Sequence, residues 1–352
     1  MPDSPTDSSA ARPLTPAPAR PTIIDVAARA GVSKSLVSLA LRGANVVSEE
    51  KRRRVLEAAA ELGYRPNAAA RSLVRRRTNL LGIVLSDLHN PFFAEVIDGI
   101  EDAADGRDYR TIISTVDLRT RAEPEKRALD TLLELRVDGL ILASPMLRLD
   151  VISAVSGELP VVLVARHAAS DRVDTVSNDD PKGARLVVDH LADLGHTRIA
   201  HIDGGGGAGA DERRHGYEVA MAERALGAHT RVVPGSYTED GGRRGVAALM
   251  DTAEPPTAIF VANDLAALGA LSALAQRGLR VPEDVSLVGY DNTSLSAVSQ
   301  INLTTVDQPR PDMGRTAVTL VLERLSRRRQ DARHVLIPPT LVVRGTTAAP
   351  RA

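Results

Sequence analysis

Residues 22–43 read TIIDVAARAGVSKSLVSLALRG, and the two short helical patterns on either side of Gly31 decide how the rest of the chain is read. Thr22 can cap a first helix, with Asp25 placed for a capping-box-like start. Ile23, Val26 and Ala27 share an apolar stripe, and Gly31 stops the helix. Ser33 caps a second segment in which Leu36, Val37 and Ala40 or Leu41 can face inward. Helices this short are marginal alone, so they must pack on each other or on a third element. That element follows: Ser48 opens a third helix with Glu49 and Glu50 in its favourable first turn. Val55, Leu56, Ala59 and Leu62 supply its inner face and Gly63 ends it.

Three short helices with a Gly-containing turn between the first two match a helix-turn-helix unit. Such a unit works by placing its second helix in a DNA major groove, N-terminal residues toward the base edges. Lys34, Ser35 and Ser38 then point outward. A three-helix protein-binding module would show the same pattern, and charge tips the balance. Residues 22–77 hold 12 Lys/Arg against five acids, a net of +7, while residues 78–352 carry −8 and the tail is neutral. A basic module on an acidic body indicates a polyanionic partner for the module alone; a merely solvated Arg-rich surface is the alternative. The next stretch, RPNAAARSLVRRRT, offers Asn67 as the cap of one or two turns through Leu73. It is either a linker with incidental helicity or a segment ordered by DNA and a symmetry mate, with Leu73 as an apolar wedge in the minor groove.

Composition narrows the rest. The 352 residues suffice for two or three domains, and 43% hydrophobic with 25% charged residues is ordinary for a soluble protein. Without Cys there are no disulfides, no Cys-ligated zinc and no thiol nucleophile. The eight His are scattered without an HExxH, so no metal and no cofactor is expected. No apolar run approaches the roughly 20 residues that cross a bilayer. Residues 1–21 lack the basic and apolar regions of a secretory signal and read as a disordered Pro/Ser/Ala tail. A cytoplasmic protein without a membrane partner is expected. No nucleophile elbow, Walker motif or assignable acid–base pair points to an enzyme.

From Leu80 the pattern changes. LLGIVLSD, RTIISTV, GLILAS, PVVLVA, RIAHID, TAIFVAN and VSLVGYD are short apolar runs alternating with helical segments, the mark of parallel sheet covered on both faces. Their recurrence suggests two lobes. Ligands of such sheets sit beyond the strand C-terminal ends, and a cleft between lobes is a usual small-molecule site. The polar candidates there are Asp87, Asn90, Asn263, Asp264, Asp291 and Asn292, with Phe92 or Phe93 and with Arg213 after the Gly-rich loop. Carboxylates with Asn and Arg suit neutral polyols, whose hydroxyls both donate and accept, and an aromatic face adds apolar contact. Asp87, Asn90 and Asp264 could equally cap helices, either Phe could be core, and Tyr290 could be buried wall. The loop DGGGGAGADERRHG lacks GKS/T, so nucleotide phosphate is not expected as its ligand.

Residues 22–79 resemble the DNA-binding end of the lactose/galactose repressor family of bacterial transcription regulators, through TIIDVAARAGVSKSLVS and VSEEKRRRVLEAAAELGYRPNAAARSL. The body continues the resemblance with LLGIVLSDLHNPFFAEVIDGIEDAA, RVDGLILAS, DHLADLGHTRIAHIDG, PTAIFVANDLAALGALSAL, VPEDVSLVGYDN, LTTVDQPRPDMGRTAV and LVVRGTTAAP. It implies an α/β, two-lobed, periplasmic-binding-protein-like core behind an N-terminal all-α helix-turn-helix domain and a short hinge helix. The implied organisation is a tail over 1–21, the helix-turn-helix over 22–66, the hinge over 67–79 and an effector domain over 80–350. Its first lobe would span 80–176 plus 308–337, and its second 177–307 plus 338–350.

The same resemblance implies double-stranded operator DNA as partner, touched by Thr22, Ser33, Lys34, Ser35, Ser38, Leu39, Arg42, Asn67, Ala70 and Leu73. It implies a small polar effector, a sugar or sugar derivative, held by Asp87, Asn90, Phe92, Phe93, Arg213, Tyr237, Asn263, Asp291 and Gln308. Arg213 falls where the family places a sugar-binding Arg, with Asp291 as its partner acid, and its removal is expected to leave the unliganded fold intact. The implied function is ligand-controlled repression; activation is the alternative within the class, and a solute-binding protein lies outside it. With no leucine heptad after LVVRG, a homodimer is expected. Two departures stand out. Leu36-Val37-Ser38-Leu39 replaces the usual Thr-Val-Ser-Arg run, and Leu39 cannot make a bidentate guanine contact; it touches a thymine methyl or packs. Ala165 stands where many members carry Asp.

Overall fold

The computed structural model describes residues 21–65, 77–116, 123–168 and 170–351, and the chain divides after Arg77 into two compact units. The candidates Asn67, Ala70 and Leu73 lie outside the described residues.

The first unit holds α1 (Ile23–Ala30), α2 (Lys34–Leu41) and α3 (Glu49–Glu61). Thr22 and Asp25 close a capping box on α1: the Thr22 hydroxyl accepts from the Asp25 amide, and Asp25 accepts from the Thr22 amide at 2.7 Å. Gly31 ends α1 at φ +63°, a left-handed conformation that favours glycine. Val26, Ala27, Ala30, Val37, Ala40, Val47, Val55, Ala58 and Ala59 form the core. One expectation fails in detail. Leu56 is outward and exposed, with Ala58 taking its place in the core; a third helix packed this closely on two others admits small residues on the contact line. Ser48 occupies the N-cap of α3 but makes no side-chain capping bond.

The second unit begins at Thr78, two residues before the boundary expected at 80. Asp138 pins its start, accepting from the Thr78 and Asn79 amides at 2.9 Å each. Two six-stranded sheets follow, one per lobe. The first, entirely parallel, has the order β11-β5-β4-β3-β1-β2: β1 (Leu80–Leu85), β2 (Arg110–Thr115), β3 (Gly139–Ala143), β4 (Val161–Val164), β5 (Asp174–Asn178) and β11 (His334–Ile337). The second is β12-β10-β9-β8-β6-β7: β6 (Ile199–Ile202), β7 (Arg231–Val233), β8 (Ala258–Val261), β9 (Ser286–Asp291), β10 (Thr304–Asp307) and β12 (Thr340–Val342), with β12 antiparallel to β10. The chain therefore passes between lobes near 178–180, 307–310 and 337–340. β5 runs through Asn178, so the lobe boundary expected at 176/177 cuts a strand and belongs two residues later.

Alternation places successive side chains on opposite faces. Leu81, Ile83 and Leu85 join the cluster beneath the helices Pro91–Asp105 and Arg310–Leu325, while Val84 joins the opposite one. Gly99 and Gly314 let those two helices cross backbone to backbone; a Cβ on either would overlap the other helix.

Candidate ligand cavity and nucleic-acid face

Where the C-terminal ends of the strands in both sheets converge, a cavity of about 1110 Å³ opens between the lobes. Asp87, Asn90, Phe92, Phe93, Arg213, Tyr237, Asn263, Asp291 and Gln308 all line it. The structure thus brings these candidates together, although they lie on six separate stretches of chain.

The second-lobe wall carries the charge. Arg213, on the helix Ala210–Glu223, donates from Nε to Asp180 Oδ1 at 2.7 Å and from Nη1 to the Ala262 carbonyl at 2.6 Å. Its guanidinium lies 3.8 Å from the centre of the Tyr290 ring and 5.4 Å from that of Tyr237, within cation–π range. The acid hydrogen-bonded to Arg213 is therefore Asp180. Asp291, assigned that role by the resemblance, accepts from Gln308 Nε2 at 2.5 Å. Burial pushes the Asp291 carboxyl up to about 8, against the pull of Arg213 and Arg310 and helped by the like charge of Asp264. Tyr237 donates to the Ala208 carbonyl at 2.9 Å, and its ring packs where side chains on Gly204 and Gly207 would sit. The Gly-rich loop is the bed of an aromatic ring. Asn263 is spent mainly as the cap of the helix Asp264–Gln276, accepting from the Ala266 amide at 2.9 Å.

The first-lobe wall is mixed, setting Phe92, Phe93, Met146 and Ala165 beside Ser86, Asp87, His89, Asn90 and Ser144. Phe92 and Phe93 meet edge to face with centroids 5.1 Å apart, and both line the cavity while belonging to the core; the two roles exclude neither residue. Asn90 caps their helix, accepting from the Phe92 amide at 3.0 Å, and Asp87 accepts from the His89 amide at 2.8 Å. Ala165, at φ +58°, supplies only a methyl group. Met146 lines the cavity on a loop held by the buried Glu125, whose two oxygens each lie 2.9 Å from the Met146 amide.

Asp264 does not cap its helix. It accepts from the Thr293 amide and from the hydroxyls of Thr293 and Thr305 at 2.8, 3.0 and 2.6 Å, away from the cavity lining, and burial raises its carboxyl to about 6. Sequence reasoning missed Asp180, Met146, Ser144 and Glu125. One signal for Asp180 was available: Asp179 caps its helix by accepting from the Lys182 amide, which leaves the second acid of Asp179-Asp180 spare. Among the described residues no cluster of His, Asp and Glu could hold a metal ion.

On the first unit, Ser33 caps α2 by accepting from the Leu36 amide at 3.2 Å, leaving Lys34 and Ser35 exposed at the helix N-terminus. Ser38 and Leu39 are half-buried, and Leu39 packs on the three-helix core. Arg42 donates from Nε to the Ser38 carbonyl at 2.9 Å. Part of the basic charge holds the fold: Arg54 donates to the Ala30 carbonyl at 2.6 Å, Arg52 to the Ala44 carbonyl at 3.0 Å, and Arg29 pairs with Glu61 at 2.6 Å.

Residues 22–67 match the family described as "Bacterial regulatory proteins, lacI family", and residues 188–347 match "Periplasmic binding protein-like domain". The catabolite control protein A of Priestia megaterium is 35% identical over 330 residues, covering 93% of this chain and 99% of that protein. A lac repressor structure bound to ONPG in the repressed state superposes with a TM-score of 0.84 at 32% identity, covering 94% of this chain and 100% of that one. A complex of the transcriptional regulator CelR with cellobiose gives a TM-score of 0.69 at 31% identity, covering 93% and 100%.

Proposed function

Because this chain belongs to the lacI family of bacterial regulatory proteins, and is thus a DNA-binding transcriptional regulator, we propose that it is a cytoplasmic, non-enzymatic repressor. A small hydroxylated effector in the interlobe cavity would control its operator affinity. The carrying observation is the convergence of Arg213, Asp291, Tyr237, Asn263 and Gln308 in one cavity facing Phe92 and Phe93. A buried cation, a carboxyl and amides give paired donors and acceptors to ring hydroxyls, and the opposite wall takes the apolar face of a sugar ring.

Two copies would set two α2 helices on half-sites about one helical turn, or a multiple, apart. Lys34 and Ser35 then read base edges, Arg42 and the hydroxyls of Thr22, Ser33 and Ser38 lie toward the backbone, and Asn67, Ala70 and Leu73 form the hinge segment. The packing of Leu39 favours its structural reading over a thymine contact.

The test selects genomic fragments with the purified protein at stated ionic strength, since phosphate contacts make affinity salt-dependent. It is then repeated with pools of neutral sugars. Enrichment of a palindrome that one pool abolishes or sharpens supports the reading. Absence of any enriched sequence, with and without sugars, overturns it. A palindrome unaffected by every pool overturns the effector half alone.

A further inference from the structure

Behind the cavity the two lobes are joined by a second, smaller set of contacts that the ligand-lining residues do not include. Glu95 lies on the first-lobe helix Pro91–Asp105, one turn after Phe92. Its Oε2 accepts from Arg310 Nε at 2.8 Å, and its Oε1 accepts from the backbone amide of Ser294, in the second lobe, at 3.2 Å. Arg310 in turn donates from Nη1 to Asp307 Oδ1 at 3.2 Å, at the end of strand β10. Asn292 Nδ2 reaches the same Asp307 oxygen at 2.9 Å.

We infer that Glu95 is a positioning residue that sets the separation of the lobes around the cavity. Both ends of its bridge stand just behind opposite cavity walls: Phe92 precedes Glu95 by one helical turn, and Asp291 precedes Ser294 by three residues. Any ligand that draws Phe92 and Asp291 together or holds them apart must change the gap that Glu95 spans. A carboxylate suits the place because it has two acceptor oxygens for two donors that converge from different lobes. An amide has one acceptor and would set its own N–H groups against the other donor. Arg310 is nearly buried, so the ion pair is shielded from solvent and fixes the Glu95 rotamer from its own side. The inference rests on the cavity being the regulatory site, but its test needs no effector.

The chain contains no Cys, so a spin-label pair can be introduced in the full-length protein. Arg127→Cys and Ala248→Cys put labels on exposed positions of a first-lobe and a second-lobe helix. Double electron–electron resonance in an excess of unlabelled protein then reads distances within one protomer. Without ligand, the labelled parent gives one interlobe distance. Glu95→Ala adds a second population at longer separation, and Glu95→Gln gives a smaller fraction of it. Ser294→Ala, which keeps the backbone donor, leaves the parent distribution in place. An unchanged distribution in Glu95→Ala overturns the inference, as does a Ser294→Ala change equal to that of Glu95→Ala. Failure of the sugar titrations above would strike the effector reading instead and leave these distances untouched.

Discussion

Replacing Arg213 by Ala should unfold the second unit more readily, as well as silence the cavity. Only 7% of the Arg213 side chain and 7% of the Asp180 side chain are exposed, and they are joined by a 2.7 Å ion pair. Arg213→Ala strands the Asp180 carboxylate in a nearly dry site and leaves the Ala262 carbonyl without its Nη1 donor. Breaking a buried pair by removing one partner costs about 3–5 kcal/mol, because the surviving charge has lost its compensation. For a unit of this size that corresponds to a fall in Tm of roughly 6–20 °C. The expectation that removing Arg213 leaves the fold intact treats the residue as a ligand contact alone, whereas its side chain also pairs with the buried Asp180.

Urea denaturation followed by tyrosine emission separates the units, since Tyr109, Tyr217, Tyr237 and Tyr290 lie in the second and only Tyr64 in the first. Combining Asp180→Asn with Arg213→Ala removes the stranded charge and leaves a neutral amide. The double variant should recover about 2 kcal/mol or more of the single variant's loss, a coupling that double-mutant cycles resolve. An Arg213→Ala midpoint within about 1 kcal/mol of the parent would refute the reasoning, as would a double variant no more stable than the single one. Ligand titrations on Arg213→Ala should accordingly be read beside the double variant, whose fold is the sounder reference.

Three further outcomes are expected. The Asp291 carboxyl sits near 8 when folded, above its ordinary value of 3.8, so the folded chain holds a proton there that the unfolded chain releases. Its contribution to stability is full below about pH 4 and lost as pH rises through about 8; Asp291→Asn should flatten that decline in urea midpoints between about pH 5 and 8.5, and an equal decline in both proteins would assign it elsewhere. Gly207→Ala forces a methyl group onto the Tyr237 ring, which should cost about 1–3 kcal/mol and weaken binding of any sugar that the parent binds in calorimetry; unchanged stability would show that the ring is not confined there. Changing Lys34 and Ser35 together should alter the bases chosen from a randomised operator library more than the total affinity, and an unaltered preference would remove them from the reading face.

Local chemistry made much of this chain legible. Thr22 with Asp25, Gly31 and Ser33 mark helix ends through bonds made within a few residues, and such signals survive without any knowledge of the fold. Most of the strands read from LLGIVL to VSLVGY announce themselves because both faces are buried; RTIIST, at a sheet edge, carries the run with no residue fully buried. Strands β5, β7, β10 and β11 carry no such run: DTVSN is buried yet polar at four of its five positions, and HVLI is a half-exposed edge. The cavity candidates were readable as polar residues at strand ends, but their division of labour was not. Asp180 and Asp291 differ in what each touches across more than thirty and about seventeen residues of chain respectively, and no spacing rule encodes that. Leu56 shows the same limit in the core: its apolar character fits the inner face, but the tightness of packing against α1 and α2 gives the place to Ala58.

The three passages between lobes also govern the order in which the protein can be completed during synthesis. The α1–α3 unit is assembled from contiguous sequence and has all its partners once its own residues are made. The second unit is not: the helix Arg310–Leu325 packs on Pro91–Asp105, and β11 and β12 close the two sheets on opposite sides of the cavity. Contacts of such sequence separation form late because long loops must close before they are rewarded. A nascent chain therefore carries a finished DNA-binding head for as long as it takes to make the residues from about 80 to 342, while neither lobe has its full set of layers. Premature termination anywhere in that interval would leave the head without a complete sensing body, so regulation by a ligand is the last property this polypeptide acquires.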